Sequence, residues 1–406
     1  MKIKNPGEVE ILKLLLKHKQ GTLNLITYTV QIDIFESIKA PVIRAQLLMK
    51  ETVGLLDTVP MVGSTVELEY TTETEGTTEF KFIILSVDSA SATSSNTTRE
   101  YVLNLASEEI VASAASNISQ NFIDLSHEKI IAIIIDKHLK SKKKFNYEAT
   151  LGLDTIPLTK LKPFQAIDKV RRRSVSKLNK SSSYCFYENK DGYNFATIEG
   201  MIFNGKKNVG DRYFFLDTVG KETHKGSDWR NILGFEQVRM QNMLDMISNG
   251  GVKINVWSFN VQTGEYKKAE FNKVQDDGVF KSDPETYNLP KDLAVKYSDS
   301  EAVNLLIPIS DDRELDRVQK HSYLRPYVTK ILSNMINVSI HGDSTMTVGK
   351  MMHLDIPIVD GMTSNRNNEL LSGNYLITKL RHIIVNGAQP KYMQSCELLR
   401  TGFLKE

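Results

Sequence analysis

Between residues 8 and 109 apolar and polar side chains alternate with a period of two. Ile26, Tyr28, Val30, Ile32 and Ile34 are separated by Thr27, Thr29, Gln31 and Asp33, and the alternation returns over Ile43–Leu47, Val66–Tyr70 and Tyr101–Leu105. Such a pattern turns one strand face to a core and the other to water, as in an antiparallel sheet. Glu10–Lys17 has the Leu and Lys content of a helix, yet Leu12, Leu14 and Leu16 fit a strand with a turn at Gly21, and a strand is the reading adopted. Thr71–Thr78 and Ser89–Thr98 are rich in Ser and Thr and predict loops. Together these predict a small closed or half-closed β-barrel over residues 1–110.

The pattern then changes. Ser126 predicts a cap for a helix over His127–Lys140, and Pro163 suits the first turn of a second helix ending near Val175. In Ser182–Phe195 aromatic and polar residues alternate on each side of Asp191-Gly192, which predicts a β-hairpin turning at that pair. Its aromatics, Tyr184, Phe186, Tyr187, Tyr193 and Phe195, read as packing and not as a ligand platform. Trp229–Ile247 reads as a helix, Val252–Phe259 and Glu265–Phe271 as a hairpin about Thr263-Gly264, and Asp276–Ser300 as a long loop. A helix is predicted over Ser322–Asn334, followed by strands at Val338–Ile340, Met351–Ile356, Tyr375–Ile384 and Tyr392–Leu399.

The two β regions share an order of parts. Val66-Glu67-Leu68 corresponds to Met352-His353-Leu354, each after a Val-Gly pair; Phe82–Val87 corresponds to Tyr375–Leu380, and Tyr101–Glu108 to Tyr392–Leu399. The fold class expected is α+β, mostly β: two similar small antiparallel β-barrels with a discontinuous α+β middle module. The first barrel takes 1–110, the middle module 111–206 and 247–312, the second barrel 207–246 and 313–400, and 401–406 form a tail.

Composition narrows the chemistry. The 406 residues carry 51 Lys+Arg against 49 Asp+Glu, so no global charge draws the chain to nucleic acid or an anionic membrane. The two cysteines, Cys185 and Cys396, exclude a disulfide scaffold or a cysteine-rich zinc site, leaving a single bridge open. The longest purely apolar run, Ile130–Ile135, is far short of the ~20 residues that cross a bilayer. No phosphate-binding glycine loop, HExxH or GxSxG motif occurs. His341 and Asp343 with His353 and Asp355 lack the ligand count of a metal site and read as surface turns. Glu51 with Asp57, or Glu73 with Glu75, make the weak case for a glycan hydrolase, since carboxylates in such loops are normally solvated. Two basic clusters, Lys142, Lys143, Lys144 and Arg171, Arg172, Arg173, close the two predicted helices; they complement the helix dipoles or dock an acidic neighbour.

Four stretches in order along the chain carry a resemblance: Ile34–Ile38 with Pro41, Gly54-Leu55-Leu56, Pro60 and Gly63; Tyr101–Leu103 leading to Ser107–Glu109; Pro163–Ile167 with the aromatic hairpin to Glu199; and Gly373–His382. In them the chain resembles the baseplate central hub protein of contractile-tailed phages. The resemblance implies a homotrimer in the virion tail baseplate, assembled in the host bacterial cytoplasm, with two barrels per subunit adapting a sixfold tail tube to a threefold membrane-piercing spike. Its implied partners are a separate spike protein below and tail tube or tube-initiator proteins above, with a tape-measure protein as a further candidate. DNA passes without specific binding, and no cofactor, metal, catalysis or membrane insertion is expected. Sliding DNA calls for a neutral or acidic channel wall, for which Glu67, Glu69 and Glu79 are the candidates. The alternatives are a tail-associated cell-wall hydrolase and the hub of a non-viral contractile injection or type VI-like secretion spike.

Overall fold

The computed structural model describes residues 7–19, 21–72, 76–92, 98–179, 181–207, 212–215, 230–239, 253–272, 304–309, 335–358, 368 and 371–400. The described chain is α+β and mostly β. Its first part contains β1 (Glu10–His18), β2 (Gly21–Asn24), β3 (Thr29–Ser37), β4 (Arg44–Glu51), α1 (Leu55–Thr58), β5 (Thr65–Thr71), β6 (Thr77–Ala92) and β7 (Arg99–Ser107). The middle contains α2 (Glu109–Ala115), β8 (Ile118–Leu125), α3 (His127–Ile134), β9 (Phe145–Tyr147), β10 (Asp154–Leu161), α4 (Pro163–Arg173), β11 (Tyr184–Asn189), β12 (Gly192–Thr197) and α5 (Ile198–Lys207). Then come β13 (Arg212–Phe214), β14 (Ile232–Arg239), a sheet of β15 (Lys253–Asn260), β16 (Tyr266–Asn272) and β17 (Asn304–Ile309), and finally β18 (Met335–His341), β19 (Met351–Asp355), β20 (Gly373–Val385) and β21 (Lys391–Leu399).

Both terminal parts belong to one 13-stranded sheet, in the order β14-β18-β21-β20-β3-β4-β7-β6-β5-β1-β2, with β19 beside β20 and β13 beside β19. Among the described strands neither part closes on itself; β3 and β20 join them edge to edge, from Gln31 opposite Val385 to Ser37 opposite Lys379. Alternation sets the faces: Ala45, Leu47 and Met49 of β4 are buried while Arg44, Gln46, Leu48 and Lys50 are exposed.

The parts repeat one topology. The run β3-β4-β7-β6-β5 has the same antiparallel neighbours as β14-β18-β21-β20-β19. A bulge falls between Ile84 and Ser86 in β6 and between Ile377 and Lys379 in β20. Just before each bulge the isoleucine makes the same two backbone bonds: Gly63 N–H donates to Ile84 and Ile84 to Ser64, both at 2.9 Å, as Gly349 donates to Ile377 and Ile377 to Lys350, again at 2.9 Å. Both glycines are left-handed, with φ of 82° and 85°. This register aligns Leu105 with Leu398, so the sequence-level match of Tyr101 to Tyr392 is two residues out.

Three apolar clusters fill the fold. The first lies under β1–β7 and takes in Ile384 and Tyr392 from the second half. The second lies under β13, β14 and β18–β21 and includes Tyr187 and Met201. The third packs α3 and α4 on the aromatic hairpin, where Tyr184 stacks on Phe195 at 4.2 Å and Phe186 on Tyr193 at 5.3 Å.

Several expectations are corrected. Ile26–Tyr28 form a 3-10 turn, so the predicted strand starts only at Thr29. Ser89–Ala92 continue β6 and are not loop. Ser126 precedes α3 but makes no side-chain cap, and the helix ends in a π turn over Ile135–Leu139. The hairpin turn is Lys190-Asp191, because Asn189 faces Gly192; Gly192 is needed where it stands because a Cβ there would lie 2.3 Å from the Lys144 carbonyl. In place of the helix predicted over Trp229–Ile247, Ile232–Arg239 form β14, whose pairing with β18 overrides local propensity; residues 229 and 240–247 of that helix, the loop at Asp276–Ser300 and the helix at Ser322–Asn334 lie outside the described residues. The hairpin of β15 and β16 is where the sequence placed it.

The repeated glycines give a test. Gly63→Ala meets no atom within 4 Å, so it costs only the left-handed penalty of about 1 kcal/mol. In Gly349→Ala the new Cβ falls 2.1 Å from the buried Tyr187 hydroxyl, adding roughly 1–3 kcal/mol. Urea midpoints of the two variants should separate accordingly; equal midpoints would refute the packing described.

Candidate functional site

The aromatic hairpin reaches both halves of the sheet. At its tip the buried Glu188 Oε2 accepts the Ile43 N–H at 3.0 Å and its Oε1 accepts the Ser107 hydroxyl at 2.9 Å, both from the first half. The next residues face the second half: Asn189 Nδ2 donates to the Val348 carbonyl at 3.3 Å and Lys190 Nζ to the Ser344 carbonyl at 2.6 Å.

Lys143 completes this junction. Its ammonium lies 2.6 Å from Glu109 Oε2 and 2.7 Å from Glu188 Oε1. Burial works to lower the Lys143 pKa, but Glu188 and Glu109 together outweigh it and raise the pKa above that of an ordinary lysine. Burial likewise works upward on Glu109, and Lys143 and Ser141 overcome it, leaving that carboxyl below the ordinary range. At Glu188 burial dominates and pushes the carboxyl up.

The other predicted cations divide. Lys142 and Lys144 are exposed and have no ion-pair partner among the described residues. Arg171 holds Asp168 at 2.6 Å and the Tyr184 carbonyl at 2.9 Å, Arg173 holds Asp154 at 3.0 Å, and the more exposed Arg172 pairs with Asp168 at 2.7 Å. Asp168 and Asp154 are the unpredicted partners, 3 and 19 residues from their arginines.

Glu67, Glu69 and Glu79 line the polar face of β5 and β6. Glu67 is ion-paired first with Lys13, at 2.5 Å, and then with Lys17, and the two hold its carboxyl below the usual range. Glu69 and Glu79 stand opposite each other in the ladder, a like-charge pair. These three carboxylates share a groove of about 510 Å³ with Lys143 and Lys144, a juxtaposition that no local sequence signal announces.

A second polar cluster crosses the β3–β20 seam. Glu36 Oε2 accepts from Thr347 Oγ1 at 2.5 Å and the Val348 N–H at 3.0 Å, with His382 Nε2 3.6 Å from Oε1. Asp343, expected at a surface turn, is buried and accepts from the Tyr213 hydroxyl at 2.8 Å. His353 faces Asn374 at 2.7 Å and Arg212 faces Asp355 at 3.1 Å. Among the described residues no three His, Cys, Asp or Glu side chains gather as for a metal. Glu51, expected to be solvated, is buried and accepts the N–H groups of Val53 and Gly54, while Asp57 pairs with Arg99 at 2.7 Å. Both cysteines are free. No described helix is long and apolar enough to cross a membrane.

Lys143→Met removes the cation between two buried carboxylates and should cost about 3 kcal/mol at pH 7. The loss should shrink toward pH 5. In the variant an unpaired carboxylate has a raised pKa and takes up a proton on folding, which favours the folded state as pH falls; in the parent, Glu109, held below the ordinary range by Lys143, loses its stabilising contribution only at pH values below this window. Denaturation at both pH values checks this, and a pH-independent difference would contradict it.

No protein-family model matches the sequence, and no curated protein matches it. Solved structures do. The chain is similar to a tail protein from Neisseria meningitidis (11% identity, 97% of each chain covered, TM-score 0.57). It is similar to the 43 kDa tail protein of prophage MuSo2 from Shewanella oneidensis (10% identity, 96% of this chain and 98% of that one, TM-score 0.56). It also aligns over its full length with 54% of a chain in the lidded PdpA–VgrG complex of Francisella (10% identity, TM-score 0.51). Over nearly its whole length the chain therefore has the fold of these tail proteins.

Proposed function

We propose that the chain is a structural tail protein, the trimeric hub of a baseplate. The observation that carries this reading is the repeated five-strand unit, with its bulge and its glycine–isoleucine bonds at the same place in both halves. A threefold assembly meets a sixfold one without mismatch only if each subunit offers two equivalent surfaces. Two such units per chain and three chains per ring supply six. The likeness to tail proteins over their whole lengths supports the same reading.

In this reading the units are the tube-type barrels expected at 1–110 and at 207–246 with 313–400, and the segments 111–206 and 247–312 form the module between them. The ring adapts a sixfold tail tube above to a threefold spike below, in a virion tail or in a related secretion spike, and encloses a path for DNA in the viral case. Glu67, Glu69 and Glu79 would present acidic charge, and the exposed Lys142, Lys144 and Arg172 are the docking cations of choice. The role is structural: interface formation, not a reaction, performs it.

Sedimentation tests this directly. The protein alone, or with its cognate spike protein, should give an assembly of three 45.9 kDa chains. A persistent monomer in both cases would overturn the hub reading.

A further inference from the structure

The repeat leaves two strand edges unmatched, and they fit each other. In the second half, one edge of β20 pairs with β19 up to Leu376 and then, beyond the bulge, with β3 from Lys379 to Val385. In the first half the corresponding edge of β6 pairs with β5 up to Ile83. Beyond its bulge, Ser86–Ala92 have no strand on that edge among the described residues. The strand that would fill the place by the repeat is the counterpart of β3. That counterpart is β14: a register shift lies between Thr29 and Gln31 in β3 and between Ile232 and Gly234 in β14, with Ile32 opposite Leu47 and Phe235 opposite Val338. β14 ends the 13-stranded path; a single parallel bridge ties Asn231, just before it, to Phe214 of β13, and among the described residues no strand pairs with the outer edge of Gly234–Arg239.

We infer that β14 of one copy adds to the Ser86–Ala92 edge of β6 in a neighbouring copy, antiparallel, in the register in which β3 meets β20 within the chain. The inference rests on the hub reading and names the contact that closes the ring. Open edges pair readily because each carries a row of unmet backbone donors and acceptors. The two edges lie on different parts of the chain, so the contact is head-to-tail and closes after three copies, alternating with the internal β3–β20 seam.

The register can be written out. Asp88 faces Val102 as Arg381 faces Ser395, and Arg239 faces Met335 as Phe35 faces Arg44. Since Arg381 faces Phe35 in the internal seam, Asp88 falls opposite position 239, an arginine, in the seam between copies. Ser91 falls opposite Glu236 in the same way, as Ile383 faces Asp33. The internal seam carries an ion pair, Arg381 to Asp33 at 3.1 Å. At the equivalent positions between copies stand two acids, Asp88 and Glu236, so the charge that answers Asp88 is position 239, the arginine directly across from it.

Ser91→Cys and Glu236→Cys together, in the full chain, test the contact by mild oxidation and non-reducing electrophoresis. The double variant should form covalent dimers and trimers, and each single variant should not. A trimer by sedimentation that forms no such disulfide would overturn this seam and leave the hub reading standing. A monomer at every concentration would overturn both. Amide exchange on the unsubstituted protein gives a second reading: residues 86–92 and 234–239 should exchange at least about tenfold more slowly in the assembly than after dilution to monomer. Fast exchange there in an intact trimer would overturn the seam.

Discussion

Antiparallel pairing of β3 with β20 is the constraint on which the rest of the structure depends. An edge strand offers backbone donors and acceptors that something must satisfy, and here each half satisfies the other. The pairing also fixes orientation, because a slip by one residue would turn Ile32 and Ile34 out of the first cluster and bring Asp33 into it. Glu36 is held in place by this geometry. It is buried at the seam, and its carboxylate takes hydrogen bonds from Thr347 and Val348, more than 300 residues along the chain.

The aromatic hairpin adds a third point of fixation. Its stacked rings make it stiff, and its tip carries Glu188 to the first half and Asn189 with Lys190 to the second. A charge buried at such a junction is costly unless paired, and Lys143 with Glu109 supplies the pairing. The cluster of three lysines is thus two different things: Lys143 holds the fold together, and its neighbours Lys142 and Lys144 face solvent. Arg171 and Arg173 are likewise internal ties, whereas Arg172 is turned outward.

Local signals carried the parts of the fold that local physics decides. Leu14 and Leu16, two residues apart, point to one face and are buried in β1, despite a composition that favours a helix. Pro163 starts α4, and Gln165 accepts the Lys162 N–H, as a helix start requires. What depends on distant contacts was not legible. β8 buries only Ile118 and Phe122, too few for a period, and β14 is a strand because β18 lies beside it. The repeat was visible in Phe82–Val87 and Tyr375–Leu380, but two tyrosines, Tyr101 and Tyr392, suggested a register that the matched bulges displace by two residues. The Lys143–Glu188 contact spans 45 residues and follows from no motif.

The central claim is that one chain carries two equivalent β units, so that three chains present six. Electron-microscope averages of the purified assembly, viewed down its axis, test it most directly. The account predicts threefold symmetry overall with six nearly equal densities around the ring. Three densities, or six that alternate between unrelated shapes, would contradict it.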